Sequence, residues 1–282
     1  MMMKKLSRRS FLVGAGITSA AVLVGCAPEN KEGSESSMMP AVETWDLETE
    51  VLVVGAGGGG ITAAAVALDQ GSKVLVIEKA NAENENGYGV TRSSGGNGCM
   101  VKDVAEAVKY LEASNLGLID KAVENAWAEY GTSVTDWLDQ HGINWRIQEG
   151  LGPDFPNFPG AAGLQAIQIA DPDDPKNVRG GSYYHKVMIP YVKEKGGEIV
   201  LGTTATDLVL NENREVIGVI AKQGDKQIAI RALKAVILAT GGFEGSAEML
   251  ANYARCFPVA GLAWPLNMGD GIKMCQAIGA DL

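Results

Sequence analysis

The first chemistry visible in the sequence is a place for phosphates. Gly55-Ala56-Gly57-Gly58-Gly59-Gly60 is a GxGxxG, and Glu78 follows 18 residues after its last glycine. Gly55 lets the chain turn from strand to helix, Gly57 lets the backbone touch a pyrophosphate, and Gly60 permits close packing of helix on strand. A carboxylate at the distance of Glu78 accepts the hydroxyls of a ribose. This chemistry is the binding of a dinucleotide.

The motif needs a strand before it and a helix after it, and the sequence supplies both. Glu50-Val51-Leu52-Val53-Val54 is apolar and β-branched, as a buried parallel strand requires. Ile61 to Gln70 predicts a helix ended by Gly71, and Lys73 to Ile77 the next strand. The helix amino terminus would offer N–H groups and a partial positive charge to the phosphates. Further along, residues 103–114 and 120–140 read as helices with Asp103 and Asp120 as caps. Thr203 to Ala232 reads as a β-meander, with turns at Asn211-Glu212-Asn213 and Gly224-Asp225. Ala235 to Leu238 reads as a separate strand running into Thr240-Gly241-Gly242. The five prolines between Gln148 and Gly181 predict a long loop, and Ser182 to Lys195 a helix.

Composition narrows the class. Glycine supplies 36 of 282 residues with no three-residue period, much of it in clusters such as Gly95-Gly96, Gly180-Gly181 and Gly241-Gly242. Such clusters suit tight turns or close approach to a ligand. A formal charge of −10 argues against a nucleic-acid partner. Cys26, Cys99, Cys256 and Cys275 include no CxxC pair, so no zinc, iron–sulfur or c-type haem site is expected, and the later three are expected to be small buried hydrophobes. Of the two histidines, His141 is expected at a helix end and His185 near the start of a helix, both in structural roles.

The amino terminus is an address. Ser7-Arg8-Arg9-Ser10-Phe11-Leu12 matches the twin-arginine export motif, and an apolar stretch follows to Gly25. Fifteen residues are short for a membrane span, which needs about 20. Leu23-Val24-Gly25-Cys26 matches a bacterial lipobox, with the Cys26 thiol as the site of lipidation. The expected organisation is a signal peptide over 1–25, a lipidated cysteine and polar tether over 26–45, and one domain over 46–282. Such a protein would be held on the outer side of the cytoplasmic membrane by its lipid anchor alone.

Five further segments carry a resemblance. They are Glu78-Lys79-Ala80; Thr91-Arg92-Ser93-Ser94-Gly95-Gly96; Thr204-Ala205-Thr206; Ala239-Thr240-Gly241-Gly242-Phe243; and Gly269-Asp270-Gly271. In this order they resemble the flavoprotein subunit family of fumarate reductase and succinate dehydrogenase. The soluble bacterial members, among them flavocytochrome c fumarate reductase, urocanate reductase and ketosteroid dehydrogenases, look nearest. The sequence departs from the family's Gly-Gly-Asn run, reading Gly87-Tyr88-Gly89-Val90 instead.

The resemblance implies an α/β fold: a Rossmann-like FAD-binding domain with a parallel sheet, an inserted β-meander and helices, its cap domain missing. It implies FAD as cofactor, contacted by Gly55, Ala56, Gly57, Gly59, Gly60, Glu78, Lys79, Thr91, Gly95, Gly96, Ala205, Ala239, Thr240, Gly241 and Asp270. The activity implied is hydride transfer between flavin and an activated carbon–carbon double bond of a small-molecule substrate, with a separate cytochrome or quinol-linked electron donor. Relatives grip substrate with arginine and histidine side chains of a cap and a returning flavin segment. Those are expected beyond Leu282, so no residue of this chain is assigned a catalytic role. A non-catalytic FAD-binding lipoprotein and an inactive truncated product stand as the alternatives.

Overall fold

A computed structural model of the protein describes residues 42–82, 87–174, 179–256, 258–259 and 264–281. Arg8, Arg9, Cys26 and the expected export signal lie outside the described residues. The described residues belong to one compact unit.

The chain enters on β1 (Leu47–Val54), turns through the glycine motif into α1 (Gly58–Asp69), and returns as β2 (Val74–Ile77). β1 alternates its side chains between two layers, as a strand must. Val51 and Val53 pack with Ile61, Ala64 and Ala65 of α1. Leu52 and Val54 pack with the opposite layer, which includes Leu208, Val219 and Ile230. All four residues of β2 are buried, so its apolar run needs no alternation. Gly71, at φ +77, lets the chain leave α1.

Two antiparallel pieces follow. β3 (Asn97–Val101), β4 (Trp145–Ile147) and β5 (Leu164–Ile169) make a small sheet in the order β3-β5-β4. Between β3 and β4 lie α2 (Val104–Asn115), α3 (Lys121–Tyr130) and α4 (Val134–Gln140). Asp103 and Asp120 cap α2 and α3 as expected, accepting from Glu106 N and Ala122 N. The single helix expected over 120–140 is two helices joined by a 3-10 turn at Gly131–Ser133. Thr132 and Ser133 donate their hydroxyls to the carbonyls of Glu129 and Tyr130, which ends α3. A Cβ on Gly131 would sit 2.6 Å from Val101, so the break also lets the chain pass close over β3.

The long loop expected over 148–181 contains β5, whose LQAIQI sequence buries four of six residues between β3 and β4. α5 (Gly180–Glu194) then packs on α1, starting two residues ahead of expectation. β6 (Glu198–Val200), β7 (Thr203–Leu210), β8 (Val216–Gln223) and β9 (Lys226–Leu238) complete the main sheet, followed by α6 (Ala247–Tyr253) and α7 (Asp270–Ala277). Its order is β6-β2-β1-β9-β8-β7. The first four strands run parallel, and β9-β8-β7 are antiparallel. The meander is therefore an extension of the parallel sheet. Ala235 to Leu238 is the last four residues of one 13-residue strand, not a strand of its own. β9 pairs β8 along its first half and β1 along most of its length.

None of the three described cysteines is buried: Cys256 is exposed, and Cys99 and Cys275 are half-buried. The expectation of buried hydrophobes fails because Cys99 and Cys275 sit at the edges of apolar layers and Cys256 packs in none. Burial still pushes the Cys99 thiol upward from its ordinary value.

Candidate functional site

The parallel strands end together, and the carboxyl ends of β1, β2 and β9 open on one cleft of about 310 Å³. Such crevices at the ends of parallel strands are where α/β sheets bind ligands. The glycine motif forms its floor. Gly55 takes φ +105, and a Cβ there would strike the Ala239 carbonyl oxygen at 2.4 Å. Gly57 takes φ −64 and ψ 178, and it stands at the N-cap of α1 with no side chain capping the helix. Cβ atoms on Gly57 and Gly59 would meet nothing within 4 Å, so both glycines present open backbone to the cleft.

Two side chains hold this floor in place. Glu78 is 7% exposed, and it accepts from Ala56 N through Oε2 at 2.8 Å and from Ala80 N through Oε1 at 2.9 Å. The carboxylate is fixed by two charge-assisted bonds, each oxygen keeping a second lone pair for a ligand. Thr91 Oγ1 accepts from Gly58 N at 2.9 Å, tying the loop after β2 to the start of α1. On the far wall, Lys79 Nζ pairs with Asp270 Oδ2 at 2.6 Å, joining the end of β2 to the first residue of α7.

The structure brings eleven of the predicted site residues to the cleft: Gly55, Gly57, Gly59, Glu78, Lys79, Thr91, Ala205, Ala239, Thr240, Gly241 and Asp270. Four do not line it. Ala56 is fully buried and serves through its N–H to Glu78. Gly60 faces the strand, where a Cβ would stand 1.8 Å from the Gly55 carbonyl oxygen. Gly95 and Gly96 meet the other glycine pair, Gly180-Gly181: a Cβ on Gly96 would be 2.7 Å from Gly180 Cα, and one on Gly180 would be 2.9 Å from Gly95 O. These two clusters make room for each other at the start of α5.

Several lining residues carried no sequence signal. Trp264 and Asn267 reach the cleft from the segment before α7. The Arg92 guanidinium stacks 4.1 Å above the Trp264 ring, and Asn267 Nδ2 donates to Glu244 Oε1 at 2.7 Å. Thr203 lines it from the start of β7, next to the Thr204-Ala205-Thr206 segment. A threonine in a strand reads as β-propensity, which hides its place at a cleft.

The histidines keep structural places. His185 is 1% exposed and packs against Gly87, where a Cβ would overlap its ring. His141 follows α4, its Nδ1 2.8 Å from the Trp137 carbonyl oxygen and its Nε2 3.1 Å from Asp69 Oδ2. Among the described residues, no group of three or more His, Cys, Asp or Glu could hold a metal ion, and no helix is long and apolar enough to cross a membrane.

Comparison with known proteins follows this geometry. The family described as FAD binding domain matches residues 50–282. A digoxin reductase from Eggerthella lenta is 28% identical over 98% of this chain and 55% of its own length. A probable fumarate reductase from Shewanella frigidimarina is 26% identical over 83% of this chain and 39% of its own. The chain thus spans about half or less of these relatives. Among solved structures, a 3-ketosteroid dehydrogenase from Rhodococcus jostii RHA1 shares the fold with a TM-score of 0.73 at 23% identity, covering 85% of this chain and 56% of that one. An open flavocytochrome c3 fumarate reductase gives 0.70 at 24% identity, covering 84% and 41%.

Proposed function

The chain belongs to the FAD binding domain family, with FAD as its cofactor, and we propose that it is the cofactor-holding part of an exported flavoprotein oxidoreductase acting on an activated carbon–carbon double bond. The observation that carries the reading is the cleft itself. Open glycine backbone at the uncapped start of α1, and a doubly anchored carboxylate at the end of β2, face the same space. A dinucleotide needs both, one for its phosphates and one for its ribose.

When bound, FAD supplies the hydride chemistry; the residues of this chain bind and orient it. Gly55, Gly57 and Gly59 would make the surface for the pyrophosphate, and Glu78 would accept from the ribose hydroxyls. Ala205 would offer backbone to the adenine. Lys79, Thr91, Ala239, Thr240, Gly241 and Asp270 form the remaining walls. Ala56, Gly60, Gly95 and Gly96 act one step back, by holding the floor and the loop in position. Reductases and dehydrogenases of carbon–carbon bonds among the relatives support the substrate class. A cytochrome or quinol-linked partner would supply electrons.

Purified protein should be yellow and release FAD, with no NAD, on denaturation; release of a nicotinamide cofactor instead refutes the assignment. Reduced viologen with fumarate, urocanate or a ketosteroid as acceptor tests the division of labour. Turnover by this chain alone well above free FAD would place a catalytic site within residues 46–282, against the reading. Export belongs to the same proposal, supported by Arg8-Arg9 and the Leu23-to-Cys26 box. Replacing both arginines by lysine should leave precursor in the cytoplasm, and Cys26→Ala should abolish lipid attachment. Unchanged processing in both variants would remove that half.

A further inference from the structure

The α3 helix is turned inside out. Its two buried residues are Glu124 and Ala128. Val123, Trp127 and Tyr130, spaced i, i+4 and i+7 on one stripe, are 59%, 42% and 78% exposed. A helix serving only its own domain would face the other way. The turn before it lengthens the stripe, with Leu116 84%, Leu118 82% and Ile119 44% exposed.

That turn is held in place at a cost. Leu116 takes φ +59, a left-handed conformation that strains any residue with a Cβ, and Gly117 follows at +76. Asn115 closes the turn: its Oδ1 accepts from Gly117 N at 2.7 Å, and its carbonyl from Leu118 N at 3.1 Å. The Asn115 amide in turn donates to Glu124 Oε1. Glu124 is only 2% exposed, and its Oε2 has no partner among the described residues. A strained leucine and a half-satisfied buried carboxylate both oppose folding. Together they fix two leucines in water, which folding alone gives no reason to do.

We propose that this stripe is the self-complementary face of a homodimer, meeting the same stripe of a second copy with the two α3 helices antiparallel. Its two ends differ, and that difference selects the arrangement. Leu116, Leu118 and Ile119 make one end aliphatic, while Trp127 and Tyr130 make the other aromatic. A two-fold axis near residue 123 lays each aliphatic turn against the other copy's aromatic pair. Ala122 and Ala126 border the stripe on the helix surface, small enough for the axes to approach to roughly 8–10 Å. The exposed parts of the six apolar residues come to about 700 Å² per copy, near the ~800 Å² per partner of a standard interface. A bilayer fits less well, because a chain of net charge −10 is repelled by anionic lipid.

Charge gives the interface a signature. Two copies carry the same sign, so association led by apolar contact strengthens as salt shortens the screening length, from about 10 Å at 0.1 M to about 3 Å at 1 M. An interface led by ion pairs weakens instead.

Sedimentation velocity on the 282-residue chain, across a concentration series at low and high salt, tests the proposal. The expected result is a dimer that tightens with salt. Trp127→Glu and Leu118→Glu should each weaken association at least tenfold, with circular dichroism and FAD binding unchanged. Leu233→Glu, an exposed apolar site on β9 outside the stripe, should leave the dimer intact. Val123→Cys, at the axis, should give covalent dimers on oxidation at a yield the native cysteines do not reach. A monomer at every concentration, a dimer indifferent to both glutamates, open-ended aggregation, or a dimer that salt dissolves would each overturn it.

Discussion

Gly57 and Gly60 stand three residues apart in one motif, yet their surroundings give them opposite duties, and alanine at each separates the two. Gly57 has φ −64 and ψ 178, ordinary backbone for an L residue, and a Cβ there meets nothing within 4 Å. Gly57→Ala therefore leaves the apo fold unstrained. A stiffer unfolded chain is worth about 0.4–1 kcal/mol, which alanine's weaker N-capping offsets by a similar amount, so the apo Tm should stay within about 4 °C. The new methyl stands in the cleft where the pyrophosphate is expected. Crowding a close contact costs about 1–3 kcal/mol, so FAD should bind roughly 5- to 150-fold more weakly. Gly60→Ala reverses the pattern. Its Cβ would lie 1.8 Å from the Gly55 carbonyl oxygen and 3.3 Å from Ala239 Cβ, so α1 must move off β1. The apo protein should then lose about 1–3 kcal/mol or more. Thermal unfolding of apo protein, paired with flavin-fluorescence titration, reads both quantities. Unchanged FAD affinity in Gly57→Ala would refute the placement of the phosphates on this floor.

Two further outcomes follow from the same side chains. Glu78→Ala removes the acceptor of a fully buried N–H at Ala56, so it should cost apo stability about 1–3 kcal/mol in urea unfolding, besides weakening FAD; unchanged apo stability would mean the carboxylate serves the ligand alone. Burial acts to raise the Asp69 carboxyl, but hydrogen bonds from Tyr191, His141 and Lys195 outweigh it and hold the group below the ordinary aspartate value. The folded state then holds the Asp69 carboxylate more strongly than the unfolded chain does. Its contribution is present above the unfolded value, near pH 4, and is lost as pH falls through the lower folded one. Asp69→Asn should therefore cost stability at neutral pH and flatten the acid limb of the stability curve, and an unchanged acid limb in denaturant midpoints would count against it.

The parts of the fold that were legible in the sequence are those whose causes are local. β1, α1 and β2 follow from an apolar run, a glycine motif and a helix-ending Gly71, all within about 30 residues. The caps at Asp103 and Asp120 are equally local. What escaped was set by distant partners. Nothing in LQAIQI outweighs five nearby prolines until β3 and β4 are present to pair with it. Ala235 to Leu238 looks independent because Arg231 and Lys234 interrupt the apolar run. β1 pairs with β9 on both sides of a bulge at Leu233-Lys234, which makes the two parts one strand.

The same distinction explains the candidate site. A glycine cluster in a sequence announces close approach without saying to what. Gly57 and Gly59 face open space; Gly60 faces the Gly55 carbonyl at the end of β1; Gly96 faces Gly180, and Gly181 faces the Thr91 carbonyl. Only the atoms that a Cβ would meet separate a ligand's floor from a packing contact. Trp264 and Asn267 show the converse, reaching the cleft from a segment with no motif, because α7 must begin there for Asp270 to meet Lys79. The motif residues shape the cleft's floor, and chain paths fixed elsewhere close its walls. Substitutions in the wall should thus change how tightly the cofactor is enclosed, while those in the floor decide whether it can sit there at all.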